Sequence, residues 1–473
     1  MTSDSDSHRP FGKLDAERLG ELVEMLDPEQ VVDRPEDLVA VGVDASREHG
    51  RAEALVYPRT TADVSRICRW CSTHRIPLYP RGAGTNLTGG AFPMHGGLVL
   101  DFTRMDAIRA LSPRDMTAVV EPGLTTGDLK AAAAAHGLFY PPDPASADYS
   151  TIGGNVAECA GGLSGVKYGV TRDYVLGLEA VLADGQVLHL GRSTLKDVVG
   201  YDLARLLVGS EGTLAVITEA TLKLLPKPET RHVVLAAFAE GEAAAEAAFE
   251  VLGRRVLPRA LEWMDHRCIG CQRGSAPAEL LPEEAGAMLL AELDGPHEQV
   301  AREAAVVEET FRERGAWGVH LADTEQDCEH LWSVRRGISP SLFKLAPLKL
   351  NEDVCLPRSK VLEFLHRMQQ VQQELPALTI CHFGHIGDGN IHVNVMFDRN
   401  DEARRQAEEA VGRLFRVAVD LGGSLSGEHG IGTKKAAYLS LELGEAELAL
   451  MKRVKRLFDP EGILNPGKMF PQL

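Results

Sequence analysis

Pro80-Arg81-Gly82-Ala83-Gly84-Thr85-Asn86-Leu87-Thr88-Gly89-Gly90 follows a short strand-like run and precedes another at 97–101. Its glycines leave successive backbone N–H groups clear of bulky side chains, and Thr85, Asn86 and Thr88 add side-chain donors. Consecutive amides arranged this way form a nest suited to a pyrophosphate. The stretch is not a Rossmann fingerprint, because the third glycine would fall at position 87, which is leucine. Taken alone, it is equally an ordinary tight turn.

Two further glycine clusters change that weighting. Pro141-Pro142-Asp143-Pro144 opens a segment in which prolines fix the backbone, and Ser146, Thr151 and Asn155 supply polar groups. Gly153, Gly154, Gly161 and Gly162, with Ala157 between them, let a flat ring system approach the main chain; the segment continues to Tyr168. A third segment, Val208 to Thr218, sets Gly209, Glu211 and Gly212 beside a buried strand containing Ile217. Three such loops between periodic segments predict a dedicated ligand cradle.

Working outward, the 473 residues exceed what one core organises. The net charge of −18 disfavours nucleic-acid phosphates, and no long basic run offsets it. The acidic start, Met1 to His8, does not read as a secretory signal, and no apolar stretch reaches the roughly 20 residues that span a bilayer. Eight cysteines in so long a chain do not make a disulfide scaffold. The expected location is cytoplasmic. Helical spacing of Val64, Ile67, Cys68 and Cys71 after Thr60 predicts a helix over 61–75. Residues 175–190 read as a hairpin around Asp184-Gly185. Strand 214–225 stops at Pro226-Lys227-Pro228, and longer helices alternating with strands follow. Single helices are expected over 325–345 and 401–421. Domain boundaries are placed after 228 and after 425, leaving 426–473 as a terminal segment.

A second constellation lies at His385-Ile386-Gly387-Asp388-Gly389-Asn390-Ile391-His392. The tight turn folds the two histidine-bearing runs together, and alternation puts His392 and Asn394 on one face. Glu428 and His429, bracketed by glycines, are expected to open a helix near Thr433. Two imidazoles and a carboxylate suit a divalent metal with open positions, while capping by Glu428 and solvent exposure of His429 is the plainer alternative.

Together, the three loops and these two motifs resemble the FAD-dependent flavoproteins of the vanillyl-alcohol oxidase / p-cresol methylhydroxylase type. The branch is that of glycolate oxidase flavin subunits, D-lactate dehydrogenases and D-2-hydroxyglutarate dehydrogenases. The resemblance implies an α+β fold with a two-lobed FAD-binding domain (1–228), an α/β cap carrying substrate and metal groups (229–425), and a C-terminal return (426–473). It implies that residues 80–90 hold the FAD pyrophosphate, that 142–162, Tyr168, Glu211, Gly212 and Ile217 surround the rest, and that Asn465 returns to the flavin domain. Relatives that bond FAD covalently do so through a histidine in the first loop; this loop has none, so FAD is expected to be noncovalent. By the same resemblance, His385, His392 and Glu428 bind a metal (zinc, iron or manganese), and His429 is the catalytic base. Arg335 and Ser339 contact substrate together with Asn390, whereas Arg336 points to solvent. One position departs from the family: Asn351 stands where D-2-hydroxyglutarate dehydrogenases carry a lysine, and Lys349, two residues earlier on the same strand face, is expected to take that lysine's place at the substrate.

The expected activity is FAD-dependent oxidation of a D-2-hydroxy acid, with D-lactate or glycolate ahead of D-2-hydroxyglutarate. The chemistry removes a proton from O–H and a hydride from the α-carbon. The chain lacks a four-cysteine iron–sulfur set, so electrons are expected to leave through a partner, a quinone or oxygen; the resemblance implies a separate iron–sulfur subunit or an electron-transferring flavoprotein. Membrane association is expected only through such a partner. A metal-dependent hydrolase and an inactive electron-transfer flavin subunit are the rival classes.

Overall fold

The structure, a computed structural model, describes residues 10–470; the acidic start and residues 471–473 lie outside the described residues. The chain divides into two compact units. The first takes residues 10–160, Val170–Lys227 and the chain from Glu428 onward; the second takes Gly161–Gly169 and Pro228–Gly427.

In the first unit, strands Ala54–Val56, Leu98–Asp101 and Leu78–Arg81 run parallel, with Val31–Val32 antiparallel at the edge. The helix Thr61–His74 covers this sheet because its stripe of Val64, Ile67, Cys68 and Cys71 is fully buried. Thr60 caps it, accepting the Asp63 N–H while Asp63 accepts the Thr60 N–H. A second sheet of five antiparallel strands contains the expected hairpin, Val175–Val181 with Val187–Gly191. Gly185 turns it at φ +83°, where a side chain would be strained. The C-terminal segment returns to this unit: Leu78 donates its N–H to Ile463 O and Asn465 donates to Leu78 O, both at 2.8 Å.

The second unit is built on seven strands. In spatial order they are Trp317–Ala322, Thr230–Phe238, Ala287–Gly295, Ala260–Asp265, Thr379–His385, Asn390–Phe397 and Leu348–Cys355. Every pairing is antiparallel. Central strands are buried on both faces, so Ala287–Ala291 reads as a continuous apolar run, and Glu292 and Asp294 are buried beyond it. Two strands escape the sequence reading. Ala260–Asp265 has acidic residues at 262 and 265 inside an apolar run, and Trp317–Ala322 lies at the sheet edge. The segment Gly161–Gly169 joins this unit because Lys167 Nζ donates to Asp294 O (2.6 Å) and Tyr168 OH donates to Asp294 Oδ2 (2.9 Å).

Two expected helices are corrected. The 325–345 helix breaks into Glu325–Arg336 and Ile338–Ser341, since Gly337 and Pro340 interrupt it. No helix begins at Thr433. Gly430 and Gly432 take positive φ, and the next regular helix of four or more residues is Leu439–Glu442. Gly432 passes so close to Thr88 that a Cβ would lie 2.1 Å from its carbonyl oxygen. Among the described residues no helix is long and apolar enough to cross a membrane. All eight cysteines are free.

Candidate functional site

The first candidate site is the glycine cradle of the first unit. Gly84 has φ +68°, and a Cβ there would sit 2.2 Å from the Arg81 guanidinium. A Cβ on Gly82 would sit 2.1 Å from Thr151 Oγ1, so the first and second glycine segments meet there. Among the described residues, the N–H groups of Ala83, Gly84 and Thr85 have no acceptor. Three such amides at the end of a parallel strand form an anion nest. Asn86 closes the loop, its Oδ1 accepting the N–H groups of Thr88 (2.9 Å) and Gly90 (2.7 Å).

Several expected cofactor residues have structural partners here. Asn86 Nδ2 and Thr88 Oγ1 donate to His429 O at 3.3 and 3.0 Å. Thr151 caps the helix Ile152–Glu158 by accepting the Gly154 N–H. Asn155 Nδ2 donates to Thr126 Oγ1 at 2.6 Å in a buried pair. Gly153 packs on Pro122, Pro142 is buried, and Asp143 pairs with Lys130. Ser146 accepts the Ser150 N–H at 2.7 Å, and Ala157 accepts the Glu211 N–H at 2.8 Å. Glu211 spends both carboxylate oxygens on the N–H groups of Ile431 and Gly432, each at 2.7 Å. It therefore fastens the stretch just past His429. Gly212 has φ +66°, and Ile217 is buried in the strand Val216–Lys223. Asn465 Nδ2 donates to Gly90 O (2.8 Å) and Glu211 O (2.7 Å), while its buried Oδ1 has no partner among the described residues. Gly161, Gly162 and Tyr168 lie in the second unit. The open amides, the positive φ and the excluded Cβ positions fit the pyrophosphate of FAD, with residues 82–85 as its holder.

The second candidate site occupies one face of the seven-stranded sheet. Register pairs Asp353 with His392, Asn351 with Asn394, and Lys349 with Met396. On the other side, Phe383 pairs with His392 and His385 with Asn390. Paired and alternate residues share a face, so His385, His392, Asn394, Asn351 and Lys349 face the same way. His385 and His392 bring their Nε2 atoms within 3.4 Å, with ring planes at 86°. Glu428 follows Gly427 directly, and Asp353 holds Gly427 by accepting its N–H at 2.7 Å on Oδ2. His385 and His392 thus supply two imidazole nitrogens on this face, and Glu428, the expected third ligand of an N₂O set, belongs to the first unit. His429 Nε2 is 3.7 Å from Glu428 Oε1.

Glu262 is the residue this site needed and sequence reading missed. Fully buried on the strand Ala260–Asp265, it contacts His385 Nδ1 through Oε1 at 2.5 Å and accepts Arg335 Nε on Oε2 at 2.6 Å. Burial pushes its carboxyl up, but its hydrogen-bonded partners His385 and Arg335 outweigh that and hold it down at about 2. A carboxylate on Nδ1 fixes the tautomer that leaves Nε2 as a ligand atom. This N₂O donor set fits zinc, iron or manganese.

Arg335 is buried, with its guanidinium 4.5 Å from the Phe383 ring centre; Arg336 is 53% exposed and pairs with Glu329, as expected of a solvated neighbour. Lys349 Nζ donates to Ser339 Oγ at 2.9 Å, so these two expected substrate residues meet. Asn390 instead donates from Nδ2 to Val354 O at 3.0 Å, a strand-to-strand tie. Asn394 was passed over: it is fully buried, and neither amide atom has a partner among the described residues. A fully buried amide without partners marks a ligand position, and its place on the His392 face was the available signal. The face thus gathers two imidazoles, a cation, a hydroxyl and an amide.

Both parts of the chain match known families. Residues 52–191 match the FAD binding domain model, and residues 227–469 match that of FAD linked oxidases, C-terminal domain. Glycolate oxidase subunit GlcD of Bacillus subtilis (strain 168) is 42% identical over 452 residues, covering 95% of this chain and 96% of that protein. D-lactate dehydrogenase of Archaeoglobus fulgidus is 38% identical, covering 89% and 91%. D-2-hydroxyglutarate dehydrogenase of Stutzerimonas stutzeri (strain A1501) is 34% identical, covering 96% and 98%. Among solved structures, p-cresol methylhydroxylase with substrate bound superposes with a TM-score of 0.78 at 19% identity, covering 95% of this chain and 96% of that one. Alkyldihydroxyacetonephosphate synthase gives 0.76 at 18%, covering 98% and 87%. These last two share the fold.

Proposed function

The chain belongs to the FAD-linked oxidases, and from that premise we propose that it oxidises a small D-2-hydroxy acid, D-lactate or glycolate, to the 2-oxo acid. The observation that carries this reading is the gathering of Arg335, Ser339, Lys349, Asn394, His385 and His392 around one buried sheet face. Named relatives acting on glycolate, D-lactate and D-2-hydroxyglutarate support the substrate class.

In this reading FAD, held noncovalently by residues 82–85, supplies the hydride acceptor. His385, His392 and Glu428 would hold a divalent metal, which would supply a Lewis acid to make the substrate hydroxyl more acidic. The protein's own groups do the rest. Arg335 offers its outer guanidinium edge to the substrate carboxylate, since its Nε already serves Glu262. Asn394 donates to a substrate oxygen and shields it from water. His429 receives the hydroxyl proton on its imidazole, as a base whose reference pKa of about 6.5 lies near neutrality. Electrons then leave for a separate iron–sulfur subunit or an electron-transferring flavoprotein in the cytoplasm.

The small substrates are favoured because Asn351, which cannot neutralise a second carboxylate, lies opposite Asn394 in register. Anaerobic incubation with both enantiomers of a panel of 2-hydroxy acids tests the reading. Bleaching of the flavin by D-lactate or glycolate is expected; bleaching by none of the panel contradicts it. Acid precipitation should release the yellow colour into the supernatant, and colour retained in the pellet contradicts noncovalent binding.

A further inference from the structure

Glu262 stands outside every motif above, yet it touches two of the groups that the proposed function uses. Its carboxylate oxygens are divided, Oε1 to His385 Nδ1 at 2.5 Å and Oε2 to Arg335 Nε at 2.6 Å. The side chain is fully buried in the middle of the sheet, so no water competes for either oxygen. Arg335 is further restrained, its guanidinium lying 4.5 Å from the Phe383 ring centre; Phe383 pairs with His392 across the strands. A single buried carboxylate therefore orients a metal-facing imidazole and a substrate-facing guanidinium at once.

We propose that Glu262 is a positioning residue that couples the two halves of substrate capture: it sets the tautomer of His385 and the plane of Arg335 together. The inference rests on the function proposed above and deepens it, because metal affinity and substrate-carboxylate affinity become linked through one side chain. The reason is donor–acceptor matching. A carboxylate accepts from both Nδ1–H and Nε–H. A glutamine of the same shape has one accepting atom and one NH₂ group, so it opposes one of those two donors. If it opposes His385, the imidazole must move its proton to Nε2, and the ligand lone pair is lost. If it opposes Arg335, the guanidinium swings out of plane.

The test uses full-length, FAD-loaded protein, Glu262→Gln and Glu262→Asp. Zn²⁺ affinity is measured by chelator competition, KM and kcat with D-lactate and glycolate, and FAD content and Tm as controls for folding. For Glu262→Gln, the expected result is Zn²⁺ binding weakened by about 10–100-fold or KM raised by a similar factor, with FAD content unchanged. Glu262→Asp keeps the charge but is one methylene shorter, so it releases at least one partner and should show a smaller loss of the same kind; it carries the test if the glutamine variant fails to fold. A variant that retains FAD and keeps both Zn²⁺ affinity and KM within about two-fold of wild type overturns the inference, even if its Tm falls. Wild-type protein that takes up no Zn²⁺ overturns the metal reading itself, and with it this coupling.

Discussion

Asp353 lies directly opposite His392 in the antiparallel register, and it accepts the Gly427 N–H at 2.7 Å and the Ser426 hydroxyl at 3.2 Å. A fully buried carboxylate on the histidine strand's neighbour thus holds the residue that precedes Glu428. Asp353→Ala removes the carboxylate that accepts the Gly427 N–H and the Ser426 hydroxyl, and so releases the residues just before Glu428. The expected outcome is weaker metal binding with FAD retained, read by metal analysis of the purified protein. Metal content equal to wild type would contradict the anchoring role.

His385→Ala, His392→Ala and Glu428→Gln should each lose bound metal and most flavin reduction while keeping FAD, since none of the three belongs to the glycine segments 80–90, 142–162 or 208–218. His429→Asn should keep the metal yet reduce flavin about 10²-fold or more slowly, within the usual general-base range of about 10²–10⁴. Metal retained by all three ligand variants would remove the site.

Lys349 offers a test of the substrate's length. Its ammonium is bonded to Ser339 and lies on the face shared with Asn351 and His392. Lys349→Met should leave D-lactate or glycolate preferred over D-2-hydroxyglutarate by kcat/KM. A wild-type preference for D-2-hydroxyglutarate that this substitution abolishes would make Lys349 the distal-carboxylate cation.

Lys468 provides a pH test of the C-terminal return. It is buried, donates to Gly89 O at 2.6 Å and sits over the Phe92 ring; burial lowers its pKa to about 8 despite nearby carboxylates. The unfolded chain keeps the ordinary value near 10.4, so between about pH 8 and 10 it binds more protons than the folded protein. Stability contributed by this side chain therefore rises through that window and is least below it. The Tm of wild type minus that of Lys468→Met should increase with pH there; a flat or falling difference contradicts the burial account.

Much of this was legible in the sequence because it rests on local rules. The 61–74 helix follows from four apolar positions and a cap, and the shared face of His392 and Asn394 follows from strand alternation. Glu262 was not legible, because its role depends on pairing between strands far apart in sequence. Within Ala260-Leu-Glu-Trp-Met-Asp265 a charged residue only weakens the strand pattern; its partners, Arg335 and His385, arrive through tertiary packing. The failed helix at Thr433 has a similar origin. Glycines 430 and 432 are there for close approach to Thr88 and the Glu211 carboxylate, and not to punctuate a helix.

The central claim is that the sheet face holds a 2-hydroxy acid through a metal and Arg335 for FAD-dependent oxidation. It is tested most directly by anaerobic single-turnover flavin reduction with D-lactate and glycolate, comparing metal-stripped, Zn²⁺- or Mn²⁺-reconstituted and Arg335→Met protein. The account predicts bleaching by the reconstituted protein, little by the stripped protein, and a raised substrate concentration at half-maximal rate for Arg335→Met. Equal bleaching by stripped and reconstituted protein, with Arg335→Met unchanged, would contradict it.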